Sequence, residues 1–112
     1  TAARISILPA PPVEEFILRS GRLCSHNLDE NRPGPSFRSD EILIGAFFNA
    51  GIRVYDIKNP YQPQEIAYFV PPKPANSRVN AIQMNDVYAD ENGIIYAVDR
   101  WAGGLYVLEL DI

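Results

Sequence analysis

The residues best equipped for chemistry lie in the stretch CSHNLDENRPGPSFRSDE, residues 24–41. His26 is the only histidine of the chain, and Asp29 and Glu30 follow it closely. An imidazole with carboxylates is a ligand set for a divalent transition metal such as zinc, iron or manganese. The spacing therefore predicts a metal site at His26, Asp29 and Glu30. In the alternative interpretation, His26 and Asn27 bond to backbone groups where a long loop begins.

Cys24 offers a second kind of chemistry. It is the only cysteine, so neither an internal disulfide nor a multi-cysteine zinc site can form within the chain. Positions i and i+2 of a strand share a face, so His26 could act as the base for a thiol nucleophile. The alternative is that Cys24 packs as a small, half-buried hydrophobic residue.

The loop over residues 30–41 is long for a hairpin connection, which is typical of functional loops. Arg32 can hold a ligand carboxylate through two parallel hydrogen bonds, or it can pair with a neighbouring acid and fix the loop. Trp101 lies in a turn, where it either anchors a partner or fills a gap between adjacent sheets. These residue types predict a ligand-binding set of His26, Asn27, Arg32 and Trp101.

Composition limits the function classes. The 112 residues predict one small domain, and 10 Lys and Arg against 14 Asp and Glu give a net charge of −4. No basic cluster is present for a phosphate backbone, and no apolar run is long enough for a membrane span. Phosphate-binding and dinucleotide glycine motifs and the Gly-x-Ser-x-Gly motif are missing, which makes an enzyme less favoured but does not exclude one. A further hypothesis is a subunit that docks into a complex through its acidic rim.

Ten prolines and seven glycines divide the chain into pieces too short for typical helices. Apolar and β-branched runs between these breaks predict an all-β fold. Gly51 and one of Gly103 and Gly104 are predicted at turn positions with positive φ. The predicted strands cover residues 14–19, 42–48, 52–57, 65–70, 86–90, 93–98 and 105–110.

Two of these hairpins repeat one another. Ile42 matches Ile94 at an offset of 52 residues, and Ile52 matches Leu105 at an offset of 53, with the extra residue in the turn. An array of repeats made of short strands is typical of propeller blades. The alternative is a small sandwich of two unrelated hairpins.

The stretch GIRVYDIKNPYQPQEIAYF, residues 51–69, combines a glycine, an apolar strand, an Asn-Pro turn and a later proline. It resembles the LVIVD-repeat family of β-propeller proteins, and the similarity extends over about residues 25–110. Residues 86–110 lack the turn proline, and Asp29 stands where some members carry a second histidine. The matching residues are Gly51, Ile52, Val54, Asp56, Ile57, Asn59, Pro60, Pro63 and Ile66.

This resemblance implies two four-stranded antiparallel propeller blades, one over residues 26–70 and one over residues 86–110. Residues 26–29 would be the innermost strand of the first blade, and the second blade has no outer strand of its own. Two blades cannot close a ring, so other copies or upstream blades of a longer chain would complete it, with six or eight blades from identical copies. Residues 14–19 would then be a spare strand for the incomplete second blade. The start at Thr1, without an initiator methionine, indicates a processed or partial chain.

The resemblance implies a binding or scaffold module with ligand or partner contacts at the axial channel and at loop 30–41. The alternative is a metal-dependent enzyme with its His and carboxylate site at the channel mouth. A periplasmic, extracellular or cell-surface location is also implied. The family is barely informative about activity.

Overall fold

A computed structural model describes residues 2–111 of the chain. One short helical segment precedes six strands that alternate with glycine and proline turns. The elements are α1 Val13–Phe16, β1 Ile42–Ala46, β2 Ile52–Asp56, β3 Gln64–Phe69, β4 Met84–Ala89, β5 Ile94–Asp99 and β6 Leu105–Glu109.

The strands form two antiparallel sheets of three strands each, with the orders β1-β2-β3 and β4-β5-β6. The all-β prediction is confirmed, whereas the prediction of four strands per sheet is wrong. Residues 26–29, predicted as the innermost strand, lie along the free edge of β1 and make three backbone hydrogen bonds to Ile44 and Ala46, but only Leu28 and Gly45 form a bridge. The Asp29 side chain turns to the second sheet, where it accepts from the Ala89 amide.

Residues 14–19, predicted as a strand, are not one. Pro12 precedes a single helical turn, in which the Ile17 amide donates to the carbonyl of Val13 at 2.8 Å. Glu14 and Glu15 lie in this first turn, where carboxylates interact favourably with the free amide groups. Only the Phe16 side chain is buried, so this segment anchors one aromatic ring and does not complete a sheet edge.

The main core lies between the two sheets. Alternate side chains of β1 and β2 point toward the second sheet and meet alternate side chains of β4 and β5. Burying one Val or Ile side chain in such a core stabilises a fold by roughly 1.5–3 kcal/mol. The central members of this core are Ile44, Ala46, Ile52, Val54, Val87, Ile95 and Ala97.

The opposite face of the first sheet is covered by residues 2–25, called the N-terminal cover below. Phe16 of the cover packs against Tyr55 and Phe47, with Leu8 and Leu23 partly buried beside them. The molecule therefore has three layers: the cover, the first sheet and the second sheet.

The outer face of the second sheet, formed by Tyr96, Val98, Leu105 and Val107, is open to solvent in part. Tyr96 pairs with Val107 and Val98 pairs with Leu105, so the four side chains share one side of the sheet. Leu105 and Val107 are 61% and 60% exposed. These four side chains form an apolar strip on a face that also carries two acids, Asp86 beside Val98 and Glu109 at the end of β6.

The two repeat turns use glycine as predicted. Gly51 has φ 75° and Gly104 has φ 74°, so the second turn uses Gly104 rather than Gly103. Positive φ is a conformation that residues with a Cβ rarely adopt. Phe48, in the first turn, is also held at φ 47°.

Candidate functional site

His26 is exposed, and its position is fixed by the second sheet. Its Nδ1 lies 2.7 Å from the carbonyl oxygen of Asn85, and its ring meets the edge of Phe48 at a centroid distance of 5.0 Å. Because a carbonyl oxygen can only accept, Nδ1 carries the proton and Nε2 holds the free lone pair in the neutral ring. An imidazole oriented in this way is also how metal-ligating histidines are held.

Asp29 is buried and acts between the sheets. Its Oδ1 accepts a hydrogen bond from the Ala89 amide at 3.0 Å, which ties the start of the loop to β4. Burial raises the pKa of this carboxyl group, and the Ala89 amide and the positive charge of Arg32 offset part of that rise. This carboxylate is therefore a structural acceptor for the backbone.

The predicted metal ligands do not converge. Within residues 2–111, no group of three or more His, Cys, Asp or Glu side chains could hold a metal ion. Glu30 is exposed, Asp29 is directed at a backbone amide and His26 is directed at a carbonyl group. The spacing in sequence brings these residues near one another, but their side chains take different directions. Cys24 is exposed rather than half-buried.

The loop over residues 30–41 is closed at its base by two side chains that the sequence analysis missed. The Asn31 side chain accepts from the Ser39 amide at 3.0 Å and donates to the Ser39 carbonyl at 3.2 Å. Ser39 Oγ in turn accepts from the amide groups of Glu41 and Ile42. The signal available in the sequence was an Asn and a Ser flanking the Pro-Gly-Pro segment, since both residue types bond to nearby backbone.

Arg32 lies against the second sheet. Its guanidinium is 5.9 Å from the centre of the Tyr88 ring, and the Tyr88 hydroxyl donates to the Pro35 carbonyl at 2.6 Å. In the described part of the chain, no carboxylate lies within 4.0 Å of this guanidinium. Tyr88 therefore positions both Arg32 and the tip of the loop.

Two neighbouring cavities lie along this loop. The larger has a volume of about 650 Å³, and Arg32 lines the smaller one, of about 570 Å³, with Arg38 and Asp40. More than half of the residues that line the larger cavity are polar or charged, and they include Asp29, Asn31, Ser39 and Asp40. Apolar surface beside polar groups is a feature of small-molecule sites. The wall of the larger cavity includes His26, Asn27, Glu30, Phe37, Ile42 and Ile44.

Trp101 does not line either loop cavity. It is half exposed, in the turn that joins β5 to β6. Its amide and those of Ala102 and Gly103 all donate to Oδ2 of Asp99, at 3.0, 2.9 and 2.8 Å. The predicted set of four ligand-binding residues is thus divided between the loop and this turn.

Asp99 is the residue that builds this turn, and the sequence analysis missed it. Its second oxygen accepts from the Gln83 amide at 2.6 Å, so one carboxylate receives four backbone N–H groups. The position of the aspartate directly before a Gly-containing turn was the available signal, since aspartate commonly caps turns in this way.

Basic side chains also gather around Phe48. The guanidinium groups of Arg22 and Arg100 lie 5.7 and 5.1 Å from the centre of its ring, beside His26. Arg100 Nε donates to the Asn85 side chain at 2.8 Å, so the same residue that accepts from His26 also holds Arg100. No spacing pattern in the sequence predicts this group, because its members come from three separate segments.

Comparisons with known proteins add no relative. No family model, no curated protein and no solved structure matches the chain. A search of residues 2–111 for a helix with the length and apolarity of a membrane span found none.

Proposed function

We propose that this chain is a binding module made of stacked β-sheet repeats, of the kind that forms β-propellers, and that it acts by packing against another sheet. The resemblance of residues 51–69 to LVIVD repeats supports the propeller form of this proposal. The observation that carries it is the apolar strip on the outer face of the second sheet. The occupant is a second copy of this chain.

The repeat itself identifies this face as a packing surface. In the first sheet, Ile44 and Ala46 of β1 and Ile52 and Val54 of β2 are buried against the second sheet. At the repeat offsets of 52 and 53 residues, their counterparts are the four side chains of the outer face of the second sheet, Tyr96, Val98, Leu105 and Val107. Positions that are buried in one repeat are therefore partly or mostly exposed in the next, where a further sheet would cover them.

The complementary surface is the outer face of the first sheet. Leu43 and Gly45 there are the counterparts of Ile95 and Ala97, which pack toward the first sheet. The N-terminal cover occupies that surface in the single chain. Apart from one helical turn the cover has no regular secondary structure, so it has few backbone hydrogen bonds to lose when a second copy replaces it.

Particle mass as a function of concentration tests this assembly. We expect light scattering to give multiples of 12.5 kDa, with Val107→Lys shifting the particle to a single copy, because a charge in a packed sheet interface is costly. Tyr61→Lys is the matched control, since Tyr61 is an exposed residue in the turn between β2 and β3, outside both sheet faces. A particle of 12.5 kDa at every concentration, unchanged by either variant, would overturn the proposal.

A second function is favoured by the cavity along loop 30–41. Its volume of about 650 Å³ and its exposed His26 fit a small ligand with both apolar and hydrogen-bonding groups. A metal-dependent enzyme at this cavity has less support, because the side chains of His26, Asp29 and Glu30 do not converge on one point. Elemental analysis of protein purified without chelator tests it, with His26→Ala as the comparison. A stoichiometric metal that this variant loses would support it, and metal-free protein would exclude a tightly held ion.

A further inference from the structure

Arg53 of β2 is a charged residue with an unusual environment. Its side chain is 2% exposed, its Nε donates to the Ala50 carbonyl at 2.9 Å, and its Nη1 lies 3.3 Å from both carboxylate oxygens of Glu65. Its Nη2 is also buried, yet it has no acceptor among residues 2–111. A buried guanidinium N–H without an acceptor is unfavourable, so a native structure that keeps one calls for an explanation.

The guanidinium lies between two aromatic rings. The centre of Phe16 is 5.2 Å from it, on the side of the N-terminal cover, and the centre of Tyr68 is 4.9 Å from it. Tyr68 is 68% exposed, whereas Phe16 is buried. Since an exposed ring changes rotamer easily, Tyr68 is the side chain that can move and uncover Arg53.

A cavity of about 460 Å³ lies at this point, with Arg53 in its wall. A second guanidinium, that of Arg19, also lines it and lies 4.5 Å from the centre of the same Phe16 ring. Within the described residues, no carboxylate comes within 4.0 Å of Arg19. The remaining wall is largely apolar and includes Pro12, Val70, Pro71 and Pro72.

The charges of the wall restrict the ligand. Glu15 and Glu65 also line the cavity, so the two guanidinium groups face two carboxylates. A dianionic phosphate would be repelled by both acids and would find few polar partners on the proline wall. A ligand with one carboxylate and an apolar body fits this wall better. Its carboxylate can accept from Nη2 of Arg53, and its apolar part can pack on the apolar surface.

We propose that this cavity binds the carboxylate of a small apolar organic acid. One carboxylate oxygen accepts from Nη2 of Arg53 once Tyr68 rotates, and the carboxylate lies within the field of Arg19. The apolar body packs on Tyr68, Val70 and the two prolines Pro71 and Pro72. This site lies between the N-terminal cover and the outer face of the first sheet, so it is separate from the loop cavity and from the outer face of the second sheet. It exists only while the cover is in place, so a second copy that displaced the cover would remove it.

An NMR titration of the full chain with benzoate tests the site, with benzamide as the neutral ligand of the same shape. We expect benzoate to cause saturable shifts at the Arg53 side-chain Nε–H and at the backbone amides of Glu65 and Tyr68. Benzamide lacks the charge, so we expect it to cause no saturable shift there. Equal binding of the two ligands, or shifts with benzoate that do not saturate, would overturn the proposal.

Charge variants separate the site from a purely structural role of Arg53. We expect Arg19→Gln to weaken benzoate binding about tenfold, which is the size of one lost charge-assisted interaction. We expect Glu15→Gln to strengthen benzoate binding several-fold. Arg38→Gln, in loop 30–41, is the control for net charge and should leave affinity unchanged. An equal loss with Arg19→Gln and Arg38→Gln would show non-specific charge attraction and refute the site.

Discussion

The two sheets of this molecule carry the same repeat but differ in what covers them. The outer face of the first sheet lies under the N-terminal cover, which buries Tyr55 completely. The outer face of the second sheet leaves Leu105 and Val107 mostly exposed. Alternation along a strand thus determines which residues share a face, whereas the neighbouring layer determines whether that face is buried.

The turns within the two repeats also differ in whether they are buried. In the first turn Phe48, Asn49 and Ala50 are buried, and backbone groups bond to one another around Gly51. In the second turn Trp101 is exposed, and one carboxylate collects the backbone amides. A buried turn is held by packing around a glycine, and an exposed turn is held by a polar side chain.

Replacing the turn glycines should give the largest difference between the two repeats in the loss of unfolding free energy. A Cβ on Gly51 would overlap the carbonyl oxygen of Phe69, in addition to the cost of positive φ, whereas a Cβ on Gly104 meets no described atom within 4 Å. We expect Gly51→Ala to lower the free energy of unfolding by about 3 kcal/mol or more, and Gly104→Ala by about 1 kcal/mol. Urea unfolding measures both, and equal losses would contradict the difference in packing.

Removing the Asp99 carboxylate should affect the second turn and the residue just before β4. Asp99→Ala leaves the buried Gln83 amide without its acceptor, together with three turn amides, and we expect a loss of about 2–3 kcal/mol. Asp56→Ala is the control, since Asp56 accepts from the Lys58 amide in a solvent-accessible turn, and its loss should be about 0.5 kcal/mol. Fluorescence of the single tryptophan reports the turn directly. An unchanged Trp101 spectrum in Asp99→Ala would count against this role.

Asp29 connects the two repeats, and its substitutions should separate hydrogen bonding from charge. We expect Asp29→Ala to cost about 1–2 kcal/mol because the Ala89 amide loses its acceptor. Asp29→Asn keeps an acceptor and should cost little. Since burial raises the pKa of Asp29, the folded state holds its proton more tightly, and wild-type stability should fall as pH rises above about 4. Unfolding measured at several pH values should show this component in wild type and not in Asp29→Asn.

The smallest effect concerns Tyr55 beneath the N-terminal cover. Burial, with the nearby charge of Glu65, raises the pKa of Tyr55 to about 12. The unfolded side chain ionises near the usual value of 10, so stability should decrease as pH rises from about 10 toward 12. At neutral pH, Tyr55→Phe loses only the bond from its hydroxyl to the Pro9 carbonyl, worth about 1 kcal/mol. If the alkaline decrease were identical in wild type and Tyr55→Phe, another group would be responsible.

The strands could be predicted from sequence because short apolar runs and glycine turns mark them directly. Residues 14–19 could not, since a short apolar run such as Phe-Ile-Leu fits a strand or a helical turn equally well. The candidate site was only partly predictable. Spacing placed His26 and Asp29 in one segment, but the directions of their side chains depend on Asn85 and Ala89, which lie about sixty residues away. The burial of Arg53 depends on the N-terminal cover, so no pattern in the sequence around Arg53 predicts it.

The backbone bridge between Phe48 and Met84 has a consequence for how the molecule unfolds. Each residue donates its amide to the carbonyl of the other, at 2.9 and 3.0 Å, across 36 positions of the chain. Repeat arrays whose units meet only through side chains can melt one unit at a time. Here the two repeats share main-chain hydrogen bonds, so the first turn cannot open without releasing the start of β4. Amides of both sheets should therefore exchange with deuterium in one cooperative event.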